Sequence, residues 1–313
     1  MPRKLTLKAD FSPALAAAQS AAGSQLYPPG TLYMLATPIG NLADICLRAL
    51  HVLSLVDKIA CEDTRHTQGM LGIYGIQKPL LAVHEHNERE AAAGIIACLQ
   101  SGERIAYVSD AGTPAVSDPG ARLAAAVNAA GHRVMPLPGA SSITALISAA
   151  GLTGGGSDGG SFVFEGFLSS KAKERETQIT RLAVEPRAIV LLEAPHRIEA
   201  LAAALSALGE RSITVGRELT KQFEQIATMP AYHFAAWLAQ DKHRLIGEFA
   251  LAIHPQASDK QTAGEGERVL KILLPELPTK TAVKLAADIS GEARNALYEI
   301  ALRIKGEAGA AGE

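Results

Sequence analysis

From Leu32 onward the chain alternates short apolar runs with longer segments of helical period. That alternation restricts the possible folds more than any other feature, because it demands strands joined by helical crossovers. Strands are predicted at 32–37, 58–61, 80–83, 105–109 and 134–137, and helices near 45–56, 65–73, 87–100, 119–130 and 140–149. Such a rhythm builds an α/β layer around a mainly parallel sheet.

Three of these strands run into turn-rich segments: TPIGN, EDTR and SDAGTPAVSDPG. Ligands of open α/β sheets bind at the carboxyl ends of strands, so these turns are expected to line one site. The third, residues 109–120, is a loop of small and polar residues longer than an ordinary connection. Its backbone amides suit a carboxylate, and its small residues suit a flat heterocycle. Gly112 permits close backbone approach. Asp118 is read as a helix cap ahead of Pro119. PLPGASS (136–142) has a turn at Gly139, with Ser141 or Ser142 able to cap the next helix. TPIGN lacks the GxGxxG fingerprint of dinucleotide sites. CEDTRHT (61–67) packs Glu62, Asp63 and Arg65 at a strand end. A carboxylate there can act as a base and the guanidinium can hold a phosphate. Asp63 can equally be a helix cap.

The glycine-rich stretch 151–160 is predicted to be a linker. A second α/β block follows, with strands near 161–167, 187–193, 212–218, 222–228 and 245–253. EAPHRI brings Glu193, His196 and Arg197 together, and GRELTK brings Arg217, Glu218 and Lys221 together. We read them as a substrate-facing surface, and residues 171–175 as an exposed helix face. Residues 254–267 form a polar linker, and residues 268–305 read as three helices broken at Pro275, Pro278 and Gly291. The apolar positions Ala293, Leu297, Ile300 and Ile304 make one stripe on the last helix. Such a unit resembles a helix-turn-helix. Residues 1–30 are expected to be a loosely ordered extension.

The net charge of −2 gives no overall basic footprint for nucleic acid, so RNA contact must rest on local patches. The terminal unit carries seven Lys/Arg against four acids, a net of +3 over 268–305. The three cysteines are widely spaced, as expected of reduced thiols in the cytoplasm. No membrane-length apolar run, signal peptide or metal-ligand cluster is predicted.

Taken together, TPIGNL, EDTR, SDAGTPAVSDPG, PLPGASS, FEGFL, EAPHRI, GRELTK and IGEFALAI resemble the ribosomal RNA small subunit methyltransferase I family, within the tetrapyrrole methylase superfamily. The resemblance covers about 31–254, and the terminal helices resemble that family's helix-turn-helix extension. It implies a two-domain α/β fold, 31–150 and 161–254, with S-adenosylmethionine (SAM) in the cleft and a homodimer as the usual assembly. It implies 2'-O-methylation of the decoding-centre cytidine 1402 of 16S rRNA in the small ribosomal subunit. Carried onto this chain, the cofactor contacts fall on Pro38, Gly40 and Asn41, then Ser109, Asp110, Ala111, Gly112 and Pro114. Ser141 and Ser142 take the adenosyl position, with Glu193, Ala194 and Leu219 nearby.

Methyl transfer from a sulfonium is chiefly a matter of alignment, and a ribose hydroxyl also needs a base. Glu62 and Asp63 are the candidate bases. Arg65 and Arg217 are candidate phosphate holders, and His196, Arg197 and Lys221 are further substrate contacts. Two alternatives were weighed, a corrin or siroheme-precursor methyltransferase and a non-catalytic nucleic-acid-binding protein. Asn41, where tetrapyrrole enzymes carry an acid, and the extra terminal helices oppose the first. The mild charge of those helices opposes the second.

Overall fold

The computed structural model of the protein describes residues 10–84, 87–153, 160–256 and 265–310. The predicted linkers at 151–160 and 255–267 lie largely outside the described residues. The described residues divide into two compact units. One holds the chain to Gly151, Phe162–Ala183 and Ile189–Ile253. The other holds His254 onward with two short segments, Leu152–Ser161 and Val184–Ala188.

In the larger unit the chain runs α1 (Ser12–Ala22), β1 (Thr31–Leu35), α2 (Leu47–Leu55), β2 (Lys58–Cys61), α3 (Thr64–Ile73), β3 (Leu80–Ala82), α4 (Glu88–Gln100), β4 (Ile105–Val108), α5 (Ala121–Ala129), β5 (Arg133–Leu137) and α6 (Ser142–Ala150). The strands form one parallel sheet in the order β3-β2-β4-β1-β5. Its central strands are buried on both faces, which is why they read as continuous apolar runs. The chain leaves β1 to build β2 and β3, then returns to place β4 between β2 and β1. The connections reverse direction there, at the β4–β1 pair, where such sheets bind ligands.

A second sheet follows. Its elements are β6 (Phe162–Gly166), α7 (Ala172–Ala183), β7 (Ala188–Glu193), α8 (Ile198–Leu205), β8 (Ser212–Arg217), β9 (Gln225–Pro230), α9 (Phe234–Ala239) and β10 (Phe249–Ile253). The order is β6-β7-β10-β8-β9, and β10 runs antiparallel to both neighbours. The two predicted α/β blocks are a single compact unit because α6 packs directly on the second sheet. Ile143, Leu146 and Ala150 are buried, and a Cβ at Gly216 would lie 2.8 Å from Leu146 Cδ1. Arg175, expected on an exposed helix face, is buried and donates to the Ser169 and Ser170 carbonyls.

The expectation of a loose N-terminal extension is corrected over its described part. Pro13 starts a helix whose Ala18 and Ala22 are buried, and α1 packs along α2. Phe11 closes the contact, its ring 4.8 Å from that of Tyr74 in an edge-on arrangement. Small alanines permit this approach while presenting little apolar surface of their own.

The smaller unit contains α10 (Glu265–Leu273), α11 (Thr279–Ser290) and α12 (Arg294–Ala310). Leu270, Leu274, Ala282, Ala286, Leu297 and Ala301 form its core. The last helix starts at Arg294, so Ala301 takes the place expected of Ala293, which is exposed. Gly291 ends α11 in the left-handed region at φ 72°.

Removing residues 1–22 is expected to cost about 2–5 kcal/mol of stability, the range of large-to-small core substitutions. Urea unfolding of full and shortened chains measures it. Equal midpoints and slopes would return this segment to a dispensable tail.

Candidate functional site

Two loops at the reversal point are stitched by backbone. Thr37 N–H donates to Gly112 O at 2.9 Å, and Gly112 N–H donates back to Thr37 O at 3.1 Å. The Thr37 hydroxyl donates to Ser109 O at 3.2 Å. Gly112 sits at φ 81°, and a Cβ there would crowd Ile39 Cγ2 at 3.2 Å. The third loop closes on the same place. A Cβ on Gly139 would lie 2.8 Å from Ala36 Cβ, and the Thr113 hydroxyl donates to Ala140 O at 3.1 Å.

The second sheet supplies the facing wall. Glu193 ends β7, with Ala194 just after it, and Phe249 and Ala250 start β10 in register with Glu193 and Leu192. Leu219 lies in a turn whose neighbours Glu218 and Thr220 hold φ of 51° and 65°, strained for residues with side chains. The turn is tied down by Glu218 N–H to Glu248 O at 3.0 Å and by Lys221, which binds Glu218 at 2.8 Å and Glu248 at 3.0 Å. The Lys221 stem crosses Gly40, where a Cβ would approach it to 2.4 Å.

Between these walls is a cleft of about 330 Å³, within the usual size of small-molecule sites. Of the predicted cofactor contacts, Ala111, Gly112, Ser141, Ser142, Glu193, Ala194 and Leu219 line it. Pro38, Gly40, Asn41, Ser109, Asp110 and Pro114 do not. Asn41 caps the turn at Leu42–Asp44 by accepting from Ala43 N–H, and Ser109 is buried beneath the loop. Asp110 accepts from Asp63 N–H at 3.3 Å. Ser141 stands at the N-terminus of α6 without a capping bond from its side chain.

The expected catalytic trio is dispersed. Asp63 caps α3, accepting from Arg65 N–H at 2.8 Å and His66 N–H at 3.3 Å. Those bonds hold its carboxyl below the ordinary range, so it is a poor base. The Arg65 side chain is 90% exposed and paired with Asp63. Glu62 is half-buried, and burial, then Asp110 and Asp63, push its carboxyl up. None of the three lines the cleft.

Of the four expected substrate contacts, three are engaged within the fold. Arg217 is buried, donating to Ile246 O at 2.7 Å and Phe223 O at 3.2 Å. Arg197 pairs with Glu193 at 3.1 Å and donates to Leu168 O. Both guanidinium groups satisfy backbone carbonyls, and Lys221 is committed to its two acids. His196 alone of the four stands exposed.

Residues that sequence reasoning passed over include Ile39, Thr113, Val116, Ser117, Asp118, Phe167 and Glu248, all lining the cleft. Ser117 and Asp118 stand in plain view within SDPG, where Asp118 has the sequence setting of a cap. In the structure Glu88, from α4, takes that role, accepting from Gly120 N–H at 3.2 Å and Leu123 N–H at 3.0 Å. Asp118 is thereby released to the cleft. Its carboxyl is raised to about 6, first by burial and then by the Glu62 and Asp110 carboxylates, with the Ser109 hydroxyl pulling the other way.

Glu193 is the most deeply placed polar group of the cleft. Its Oε1 accepts from Ala194 N–H at 2.9 Å, and its buried Oε2 has no partner. Burial raises its carboxyl against the pull of Ala194 N–H and Arg197. An orphaned acceptor among Leu219, Phe249 and Ile39 fits a ligand with an apolar ring and polar hydrogens, as an adenosyl group has. Among the described residues no group of three or more His, Cys, Asp or Glu is disposed to hold a metal, and no helix is long and apolar enough to cross a membrane.

Comparison with known proteins agrees with this geometry. The profile of the Tetrapyrrole (Corrin/Porphyrin) Methylases matches residues 31–235, and that of the RsmI C-terminal HTH domain matches 260–305. Proteins named ribosomal RNA small subunit methyltransferase I are similar over nearly their whole length. The Pseudomonas aeruginosa protein is 44% identical, over 89% of this chain and 99% of that one. The Neisseria meningitidis serogroup B protein is 45% identical, over 88% of this chain and 94% of that one. Among solved structures, a cobalt precorrin-4 methyltransferase superposes with a TM-score of 0.53 at 16% identity, over 73% of this chain and 98% of that one. A uroporphyrin-III-C-methyltransferase from Thermus thermophilus gives 0.51 at 21%, over 72% and 94%.

Asp118 provides a test of the electrostatics. A carboxyl raised in the fold from 3.8 to about 6 favours the folded state's proton, so its ionisation opposes folding as pH rises through that window. Asp118→Asn should therefore stabilise the protein at pH 8, by at most about 3 kcal/mol. The gain should vanish near pH 3. Denaturant unfolding at both pH values measures it, and an unchanged or negative difference at pH 8 would show an ordinary surface aspartate.

Proposed function

Because this chain belongs to the ribosomal RNA small subunit methyltransferase I family, SAM-dependent enzymes of tetrapyrrole-methylase fold, we propose that it methylates the 2'-oxygen of cytidine 1402 of 16S rRNA within the small ribosomal subunit. The observation carrying this reading is the joining of a methylase cleft to a separate three-helix unit matching the family's own terminal domain. The runner-up is methylation of a corrin or porphyrin. The cobalt precorrin-4 enzyme is matched over 98% of its length but takes up only 73% of this chain, so the remainder serves something else.

SAM supplies a methyl group on a positively charged sulfur. The protein's part is to hold it. Glu193 would accept from an adenosyl N–H or O–H through Oε2, Leu219, Phe249 and Ile39 would hold the ring by apolar contact, and the Ser141 and Ser142 hydroxyls would serve its polar groups. Alignment of this kind is worth about 7–11 kcal/mol in well-oriented reactions. In the terminal unit Arg294 pairs with Asp288, and Lys271 and Arg303 pair with Glu267. Lys280 and Lys284 on α11 are the cations we assign to RNA phosphates. We assign a homodimer to the working enzyme. Phe223 and Ile246 are exposed, and their carbonyls are gathered by Arg217, which suits a subunit contact. Its place of action is the cytoplasm, where the subunits are.

Purified small subunits from cells lacking this protein, incubated with it and labelled SAM, should acquire one methyl group per particle. Nucleoside mass spectrometry and fragment mapping should place it on the ribose of that cytidine. A base methyl, or turnover of precorrin instead, would refute the reading. A chain ending at Gln256 should bind SAM within about threefold of the full protein yet methylate subunits at least tenfold less efficiently. Its subunit affinity should also fall less steeply with salt, because fewer phosphate contacts release counterions.

A further inference from the structure

The apolar side chains of the inner cleft are sheltered, Phe249 at 3% and Leu219 at 8% exposed, but Phe167 lines the same cleft and is 49% exposed. A single exposed aromatic ordinarily needs no explanation. This one is set apart by how firmly the chain beneath it is held. β6 ends at Gly166, whose φ of 72° turns the backbone, and Leu168, next after Phe167, is buried. The buried Arg175 donates to the Ser169 and Ser170 carbonyls at 3.3 Å each. Arg197, from the loop after β7, donates to Leu168 O. Gln178 of α7 accepts from Ser169 N–H at 2.8 Å. Three long side chains are therefore committed to the backbone of a surface loop that leaves an aromatic ring half in water.

A loop fixed in this way is ready for a contact, because its partner need not order it on binding. Two observations choose the partner. The ring is part of the cleft wall, so a group that covers its outer part continues into the cleft, where the cofactor is assigned. A molecule that accepts a group from that cofactor must make the same approach. The loop after β7, tied to this one through Arg197, carries Pro195 in the cleft wall and His196 exposed next to it in sequence. Phenylalanine and histidine rings are among the surfaces on which unstacked RNA bases are received.

Resting on the reading of the chain as a methyltransferase of ribosomal RNA, we infer that Phe167 is the platform on which a base of the substrate RNA stacks at the mouth of the cleft. Its inner edge belongs to the cleft and its outer face to the RNA. Stacking accepts any base, since every base has a π face. Phe167 therefore holds the strand at the cleft without reading its sequence. Arg175 and Arg197 act through the loop backbone and are positioning residues.

Phe167→Ala should bind SAM within about threefold of wild type, while its single-turnover efficiency on limiting small subunits falls about 5- to 150-fold, the share of one stacked base. Phe167→Tyr and Phe167→Trp should restore the efficiency to within about threefold of wild type. Phe167→Leu, apolar but without a π face, should not. The slope of subunit affinity against salt should be the same in Phe167→Ala as in wild type, because stacking releases no counterions. Independently of activity, wild-type protein irradiated with ultraviolet light on subunits from cells lacking it, with S-adenosylhomocysteine in place of SAM, should become joined to a ribonucleotide at Phe167. Mass spectrometry of the peptides reads the adduct. Full efficiency in Phe167→Ala, equal rescue by leucine and tyrosine, SAM affinity lost in step with rate, or a shallower salt slope would each overturn the inference. So would adducts confined to other residues or to ribosomal protein. Wild-type protein inert on subunits would instead refute the function proposed above and this inference with it, a failure told apart because it lies in the wild type and not in the variants.

Discussion

The paired backbone hydrogen bonds between Thr37 and Gly112 are the contact on which the site depends. They join the loops after β1 and β4 at the point where the sheet reverses its order. The loop after β4 then reaches the end of β6, where a Cβ at Gly166 would lie 3.3 Å from Ser117 Oγ. The Thr37 hydroxyl bond to Ser109 and the missing side chain at Gly112 belong to the same junction. The cleft residues Thr113, Val116, Ser117 and Asp118 lie downstream of it in the same loop.

A second constraint is the absence of side chains where separate elements of the larger unit meet closely. Gly40 lies under Lys221, Gly139 under Ala36, Gly166 beside Ser117 and Gly216 against Leu146. Each lets backbone or a long side chain approach to a distance that a Cβ would forbid. Together they draw the two sheets into one unit with a cleft between. The charged residues of the second sheet then serve as ties. Arg217 gathers the Ile246 and Phe223 carbonyls, Arg197 holds Glu193, and Lys221 braces Glu218 and Glu248.

Burial of carboxylates follows from that assembly. Glu62, from the turn after β2, and Asp110 and Asp118, from the loop after β4, repel one another where solvent is partly excluded. Such an arrangement weakens the fold as it ionises. Glu193 is similar in kind, its second oxygen left unpaired at the floor of the cleft.

The parallel sheet was legible in the sequence because strands buried on both faces must be apolar runs, and 58–61 and 105–108 are short and unbroken. The ligand loops were legible because small residues past a strand end have few other uses. The terminal helices were legible from their breakers, Pro275, Pro278 and Gly291. Which polar residues face the cleft was decided by tertiary structure alone. Arg217 and Arg197 have the composition of a phosphate site, yet carbonyls brought near by folding consume their capacity, while Asp63 takes the local helix-cap role that its sequence also allowed. Asp118 has the sequence setting of a cap, and only the arrival of Glu88 from α4 frees it. The alanine-rich start reads as a loose tail because its few small apolar positions acquire meaning only against α2. Local sequence determines what a residue can bond; the distant chain determines whether that bond is already made.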